Sequence, residues 1–266
     1  MTTDTFKHLT PEQVDAFWRD GYLVLENFLD STDVTTLRAS IDVLTDWINT
    51  TEHPSFQVEP ESKNREKTVI RKISNIHTHG GAPWDQLMRR DDVLNVMEDL
   101  VGLPVQFHHS KVMIKAPYDG SKKEWHQDLP QGFVTQAEAN RLRELGSDLT
   151  PEQVPVVAIQ YYLDDATLEN GCLQLVPGSH RHGLFENPLD ESLIDGRQVV
   201  PAEVSAGGAL LFHCLTWHHS APNTSPLLRR GPVFEYMAPA HGVDLTQNHF
   251  GDGWGQILRH GGNHQL

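Results

Sequence analysis

The sequence predicts a mainly β protein with flanking helices, its β part folded as a sandwich or jelly roll. Three observations carry that prediction. The first hundred residues hold helix-start signals and a long run of apolar residues at helical spacing. From residue 105 the chain changes to short alternating apolar runs broken by Gly, Pro, Asn and Asp, and no Pro- or Ser-rich linker divides the two parts. Short strands punctuated by turn residues mark double-sheet antiparallel architectures. The chain therefore reads as one domain, with N-terminal helices over about residues 10–104, a β core over about 105–240 and a weakly patterned Gly- and His-rich tail over 241–266.

Thr10, Pro11, Glu12 and Gln13 spell a helix start, with Thr10 as N-cap, Pro11 at the first helical position and Gln13 closing a capping box. That helix runs to about Arg19 and is ended by Gly21. Residues 22–29 alternate as a strand until Asp30 and Ser31 open a second helix over about 32–49. Val34, Leu37, Ile41, Leu44 and Ile48 recur there at the helical period. Residues 50–68 are polar and broken by Pro54 and Pro60, which predicts a surface loop of a length that can serve as a lid. A short strand follows at 69–74. His77 and His79 form a His-x-His that could bind metal if extended, but the adjacent glycines favour a turn in which the rings hydrogen-bond. Residues 91–100 read as a helix ended by Gly102 and Pro104.

Residues 105–117 make one or two strands, and Asp119-Gly120 turns the chain into Trp-His-Gln-Asp at 125–128. An insertion over 131–155 carries a helix at 135–145 with Ala137, Leu142 and Leu145 on one side. Residues 149–154 repeat the hexapeptide of residues 9–14, but Pro155 stops the second copy from propagating. Further strands are expected at 154–165, within 169–183, on either side of Gly207-Gly208, and at 231–239. His180 and His182 fix a turn.

The balance of 21 basic against 36 acidic side chains gives a net charge of −15, with no long positive run, and this excludes sequence-independent nucleic-acid binding. Short basic groups at 62–67 and 121–123 read as solvated loops, and no basic cluster is clearly aimed at a pocket. Cys172 and Cys214 lie in apolar stretches as reduced core residues, which predicts a cytoplasmic protein. No segment approaches the ~20 apolar residues of a membrane span. The expected partner is a small molecule, and the oligomeric state is open.

The chemistry concentrates in two stretches. A lone His-x-Asp is weak in a chain of 16 histidines, but on a strand residues two apart share a face, so His126 and Asp128 can grip one ion while Gln127 turns away. The apolar run 209–212 leads into a segment with His218 and His219, one of which supplies a third ligand. Two imidazoles and a carboxylate on one face of a metal leave positions open opposite, the arrangement of non-haem Fe(II) oxygenases, with Mn, Co and Zn as competitors. Arg229 follows His218 by eleven residues, after the turn-forming residues 221–226. A chain reversal there returns a guanidinium suited to hold a carboxylate bidentately. Ser220 shares the face of His218.

Taken together, residues 20–29, 125–130 and 170–183, with His-x-Ser-x-Pro-Asn-x-Ser at 218–225 followed by arginine, resemble the phytanoyl-CoA dioxygenase family of Fe(II)/2-oxoglutarate oxygenases. The resemblance implies a double-stranded β-helix (jelly-roll, cupin-like) core and a metal triad of His126, Asp128 and His218. It also implies 2-oxoglutarate on Arg229 with Ser220 beside it, Arg230 being the lesser rival to Arg229, and O2 as co-substrate. The reaction implied is oxidation of a small organic molecule, hydroxylation by default, with 2-oxoglutarate converted to succinate and CO2. By the same analogy Asp128 argues against a halogenase, which lacks that carboxylate. Trp125, Gln127, His79 and Gln160 are candidates for facing the substrate, expected to be a small metabolite such as a natural-product intermediate rather than an acyl-CoA. The rival readings are a Zn-dependent hydrolase and a non-catalytic jelly-roll binding protein.

Overall fold

The computed structural model describes residues 7–48, 53–60, 62, 68–129, 134–238 and 256–260. Most of the basic group at 62–67, the start of the 131–155 insertion and most of the tail lie outside the described residues.

Helix α1 (Pro11–Asp20) begins as its capping box dictates. The Thr10 hydroxyl accepts from the Gln13 amide, and Gln13 returns its side-chain oxygen to the Thr10 N–H. Gly21, at φ 81°, closes it with an N–H donated to the Phe17 carbonyl. Strand β1 (Tyr22–Leu25) follows, then helix α2 (Ser31–Ile48), whose first amides at Thr32 and Asp33 donate to the Asp30 carboxylate. Residues 50–68, expected as loop alone, contain strand β2 (Phe56–Val58), which pairs with β3 (Ile70–Ser74). Helices α3 (Ile76–His79), α4 (Ala82–Met88) and α5 (Asp91–Val101) complete this half.

The remaining strands are β4 (Val105–Lys115), β5 (Lys123–His126), β6 (Val156–Tyr161), β7 (Leu173–Leu175), β8 (Val200–Pro201), β9 (Ala209–His213), β10 (His218–Ser220), β11 (Arg229–Met237) and β12 (Ile257–Arg259). Between β5 and β6 lies helix α6 (Gln136–Glu144), capped by Thr135. Its buried residues are Ala139 and Leu142, so Ala139 takes the place expected of Ala137, which is exposed. The repeated capping box at Thr150 yields a single 3-10 turn, Pro151–Gln153, before Pro155. Within the tail, β12 pairs with β4, an element the weak patterning there did not predict.

Among the described residues the strands form two antiparallel sheets. The larger has the order β1-β9-β6-β11-β4-β3-β2 with β12 also on β4, and the smaller has the order β5-β10-β7-β8. This is the expected mainly β jelly roll with flanking helices. The N-terminal region supplies both edges of the larger sheet, β1 at one side and β2 and β3 at the other.

The two faces of the larger sheet are sorted by the strand period. On β11, Phe234 and Tyr236 join the cluster of Phe17, Trp84, Val93 and Met97 under the helices, whereas Arg229, Gly231, Val233 and Glu235 point the other way. On β6 and β9, Ala158, Leu210 and Phe212 pack between the sheets with Tyr162, Cys172 and Leu175. The inter-sheet space is thus apolar at one end and polar where β4, β5, β10 and β11 meet. No helix among the described residues is long and apolar enough to cross a membrane.

Candidate metal and co-substrate site

Strands β5 and β10 pair antiparallel with His126 directly opposite His218, which brings the imidazole centroids to 4.1 Å. The Asp128 amide, just past the end of β5, donates to the Cys214 carbonyl, and this fold-back directs the carboxylate at both rings. Asp128 Oδ1 lies 3.7 Å from His126 Nε2 and 3.9 Å from His218 Nε2. Each ring is oriented from behind: His126 Nδ1 is 2.8 Å from the Glu124 carbonyl, and His218 Nδ1 is 2.8 Å from the Thr216 carbonyl. A carbonyl only accepts, so Nδ1 carries the proton and Nε2 presents a lone pair to the centre. Burial, reinforced at His126 by the neighbouring His218, holds both imidazoles below their ordinary range and keeps them neutral, as ligation requires.

Burial alone would raise the Asp128 carboxyl, but the neighbouring cations, Lys111 foremost, outweigh it and hold the group ionised. Lys111 Nζ lies 3.8 Å from Asp128 and 2.8 Å from Glu235, so it links the centre to a second, deeper carboxylate. A β-bulge at Glu235/Tyr236 places His108 and His109 together beside Glu235, with His109 Nδ1 at 3.2 Å from its Oε2. Burial pushes Glu235 up to about 7 against the pull of Lys111. Glu235 and His109 are the support that positions Lys111. Sequence reasoning missed them, because neither the bulge nor the pairing of Lys111 with a residue 124 positions away is visible in a linear pattern.

The triad opens into a cavity of about 890 Å³, part of it continuous with solvent. Arg229, the first residue of β11, lies on its wall and is 2% exposed, with Nε and one terminal nitrogen lacking any hydrogen-bond partner. Burial lowers its proton affinity from the ordinary arginine value, though a guanidinium stays charged. Ser220 and Gln160 line the same cavity, and the Gln160 amide nitrogen is likewise buried without a partner. Gly231 makes this arrangement possible: a Cβ there would come within 2.8 Å of Gln160 Nε2 and 3.5 Å of an Arg229 nitrogen. Arg230 turns away and is fixed by Asp164 and Asp42.

Three residues expected to face the substrate do not line this cavity. Gln127 is fully buried on the opposite side, where its amide donates to the Gly183 and Leu215 carbonyls and accepts from the Phe185 N–H, so it is scaffold. Trp125 packs with Val176, Leu189 and Trp217 and stacks on His219, ring centroids 4.1 Å apart, because both alternate outward from the triad face. His79 sits in α3 beside His53 with Nε2 at 2.9 Å from the Ser55 hydroxyl, and His77 Nδ1 contacts the Ser110 hydroxyl. Neither histidine of that pair lines the cavity.

The cavity is also more basic than expected. No basic cluster was expected at a pocket, yet seven lysines and arginines line this cavity against two carboxylates, Glu59 and Asp128. They come from three separated stretches, β3, β4 and residues 122–123, together with Arg229. No single run of sequence reveals them.

A profile of the phytanoyl-CoA dioxygenase (PhyH) family matches residues 17–231, most of the chain. The chain belongs to the phytanoyl-CoA dioxygenase family. This family member is 27% identical over 270 residues to an ectoine dioxygenase of Bordetella parapertussis, covering 91% of this chain and 82% of that protein. It is 29% identical over 261 residues to an L-proline trans-4-hydroxylase of Streptomyces griseoviridis, covering 85% and 87%. A crystal structure of EctD from S. alaskensis with bound Fe matches with a TM-score of 0.73 at 25% identity, over 90% of this chain and 79% of that one. The protein is an Fe(II)/2-oxoglutarate-dependent dioxygenase. Its donor set fits the metal. Two imidazole nitrogens and a carboxylate oxygen lie within 4.8 Å of one another, enough to hold iron by one face. The unpartnered guanidinium in the same cavity fits a dicarboxylate.

Proposed function

We propose that His126, Asp128 and His218 hold Fe(II), that Arg229 and Ser220 anchor the distal carboxylate of 2-oxoglutarate, and that the enzyme hydroxylates a small organic metabolite. The observation that carries this reading is Arg229. A buried guanidinium with two nitrogens unpartnered costs several kcal/mol unless a ligand completes it, and it lies in the cavity onto which the triad opens.

With O2, the bound iron and 2-oxoglutarate supply the oxidising power: 2-oxoglutarate and O2 give succinate and CO2, and the second oxygen atom enters a substrate C–H bond. The chain's own residues prepare that chemistry. The Glu124 and Thr216 carbonyls fix the two imidazoles, and Lys111 keeps Asp128 ionised. Gln160 offers an amide donor on the cavity wall. The apolar pack behind Phe212 and Leu173 excludes water from that end. The small substrates in the relatives' names, ectoine and L-proline, support a small metabolite. Two buried free thiols support a cytoplasmic setting.

The test is aerobic turnover with Fe(II), 2-oxoglutarate and a library of small metabolites, scored by succinate release and by incorporation of isotopically heavy O2 into product. A hit forms succinate and labelled product only with both iron and O2 present. Product formed without O2, or with zinc alone, would instead establish a hydrolase.

A further inference from the structure

The cavity has the opposite charge to the chain. In a protein of net charge −15, seven basic side chains converge on one space with two carboxylates among them. Four of the cations are accounted for. Lys111 is paired with Asp128 and Glu235, Lys122 with Glu124, and Lys115 donates to the Ser121 and Ala221 carbonyls. Arg229, buried in the cavity wall, is assigned above to 2-oxoglutarate. The other three are Arg71 and Lys72 on β3 and Lys123 at the start of β5. Among the described residues their side chains have no hydrogen bond and no ion pair.

Carboxylates act on these three only at a distance, Glu235 and Asp128 on Lys72 and Asp128 and Glu124 on Lys123, and none among the described residues forms an ion pair with them. Glu59 is held by the Ser121 amide and pairs with none of them. Loading does not relieve the excess either, because the two positive charges of Fe(II) and the two negative charges of 2-oxoglutarate cancel. The three cations are neighbours. Lys72 feels Lys111 and Lys123, and Lys123 feels Arg71 and Lys111; burial and this crowding lower the proton affinity of both lysines. Unlike Arg229, Arg71, Lys72 and Lys123 are only half-buried, at the rim where the β3 side of the larger sheet faces β5 of the smaller. A charged cluster that is partly desolvated and unpaired at the mouth of a cavity concentrates and orients an anion.

We propose that Arg71, Lys72 and Lys123 form a receiving site for the primary substrate, whose chemical class is therefore a small carboxylate or phosphonate. The anionic end rests on this rim, which directs the rest of the molecule inward to the His126, Asp128 and His218 face. The inference rests on the oxygenase reading only in calling that molecule the substrate. Anion binding at the rim stands by itself.

The test is calorimetric titration of protein saturated with Fe(II) and 2-oxoglutarate under argon, so that the Arg229 site is filled. The probes are methylphosphonate and propionate, each beside its neutral counterpart, dimethyl methylphosphonate or propionamide. At least one charged probe binds and its neutral counterpart does not. Its affinity falls with salt and drops about tenfold in Arg71→Ala and in Lys123→Ala, while Lys122→Ala leaves it unchanged. Whether phosphonate or carboxylate binds better separates the two anion types. Equal binding of charged and neutral probes, no binding of either charged probe, or affinity unchanged in both Arg71→Ala and Lys123→Ala overturns the proposal. The visible band of the iron and keto-acid complex, recorded on the same samples, reports the oxygenase reading separately. If that band is missing while charged probes still bind through Arg71 and Lys123, the receiving site stands and the oxygenase reading fails.

Discussion

His126 and His218 lie opposite one another across two antiparallel strands, and each turns its Nδ1 to the carbonyl of the residue two positions earlier, Glu124 and Thr216. The same local device is used twice, so both Nε2 atoms are aimed by the backbone and not by mobile side chains. His219, one residue on, faces the other way onto Trp125. His218→Ala is therefore expected to weaken Fe(II) binding by more than the roughly 10–100-fold typical of changes outside the ligand shell, while His219→Ala retains it. Anaerobic Fe(II) titration of both variants checks this, and the reverse order would assign the ligand to His219.

Arg229→Ala should raise the KM for 2-oxoglutarate by about 30-fold or more, the cost of truncating one partner of a buried charge pair. Arg229→Lys should recover only part, since an ammonium cannot reproduce the bidentate fork. Steady-state kinetics with 2-oxoglutarate varied at saturating iron measures both. The gain of the arginine over the lysine is the discriminating quantity.

Lys111 sits between two buried carboxylates, and removing it leaves Glu235 without its cation. Lys111→Met is expected to destabilise the protein by about 3–5 kcal/mol. The double variant Lys111→Met, Glu235→Leu should recover most of that loss, because no buried charge is then orphaned at Glu235. Urea denaturation of the two variants gives the comparison. Equal loss in both would remove Glu235 from the account.

Gln127→Leu tests a scaffold role against a substrate role. The residue makes three buried hydrogen bonds to the 183–185 turn and Leu215. Their loss should cost about 3 kcal/mol of stability and leave the KM for 2-oxoglutarate near wild type in protein that remains folded. A normal melting curve with a changed substrate preference would reverse the assignment.

Anion binding at the rim should weaken with rising pH. Burial and the charge of Lys111 lower Lys72 to about 8, against the pull of Glu235 and Asp128, so it is a cation below that pH and neutral above it. Affinity for a charged probe falls between about pH 7 and pH 9. Lys115, brought to about 7 by burial and Arg229, titrates over part of the same range. Lys72→Arg separates the two: it flattens the profile if Lys72 is responsible and leaves it unchanged if Lys115 is.

Much of the frame was legible in the sequence for local reasons. Capping boxes at Thr10 and Thr150, the glycine at position 21 and the apolar runs of β6, β9 and β11 each act within a few residues, and His126, Asp128, His218, Ser220 and Arg229 fell into one cavity because strand period and a chain reversal fix their faces. What escaped depends on distant partners. Strand β2 forms only because β3 is beside it, and the basic rim assembles from residues 71–72 and 123 across two sheets. Gln127, Trp125 and His79 were misplaced for a related reason: polarity and nearness to the motif do not say which face a side chain takes or what fills it.

The most direct test of the metal and co-substrate assignment is anaerobic titration of the purified protein with Fe(II) and then 2-oxoglutarate, watching for the visible charge-transfer band of the iron and keto-acid chelate, with Asp128→Ala and Arg229→Ala alongside. The expected result is a band that requires both components, is lost or greatly weakened in Asp128→Ala, and needs far more 2-oxoglutarate in Arg229→Ala. A folded, metal-loaded wild type that shows no band, or a band indifferent to both substitutions, would contradict it.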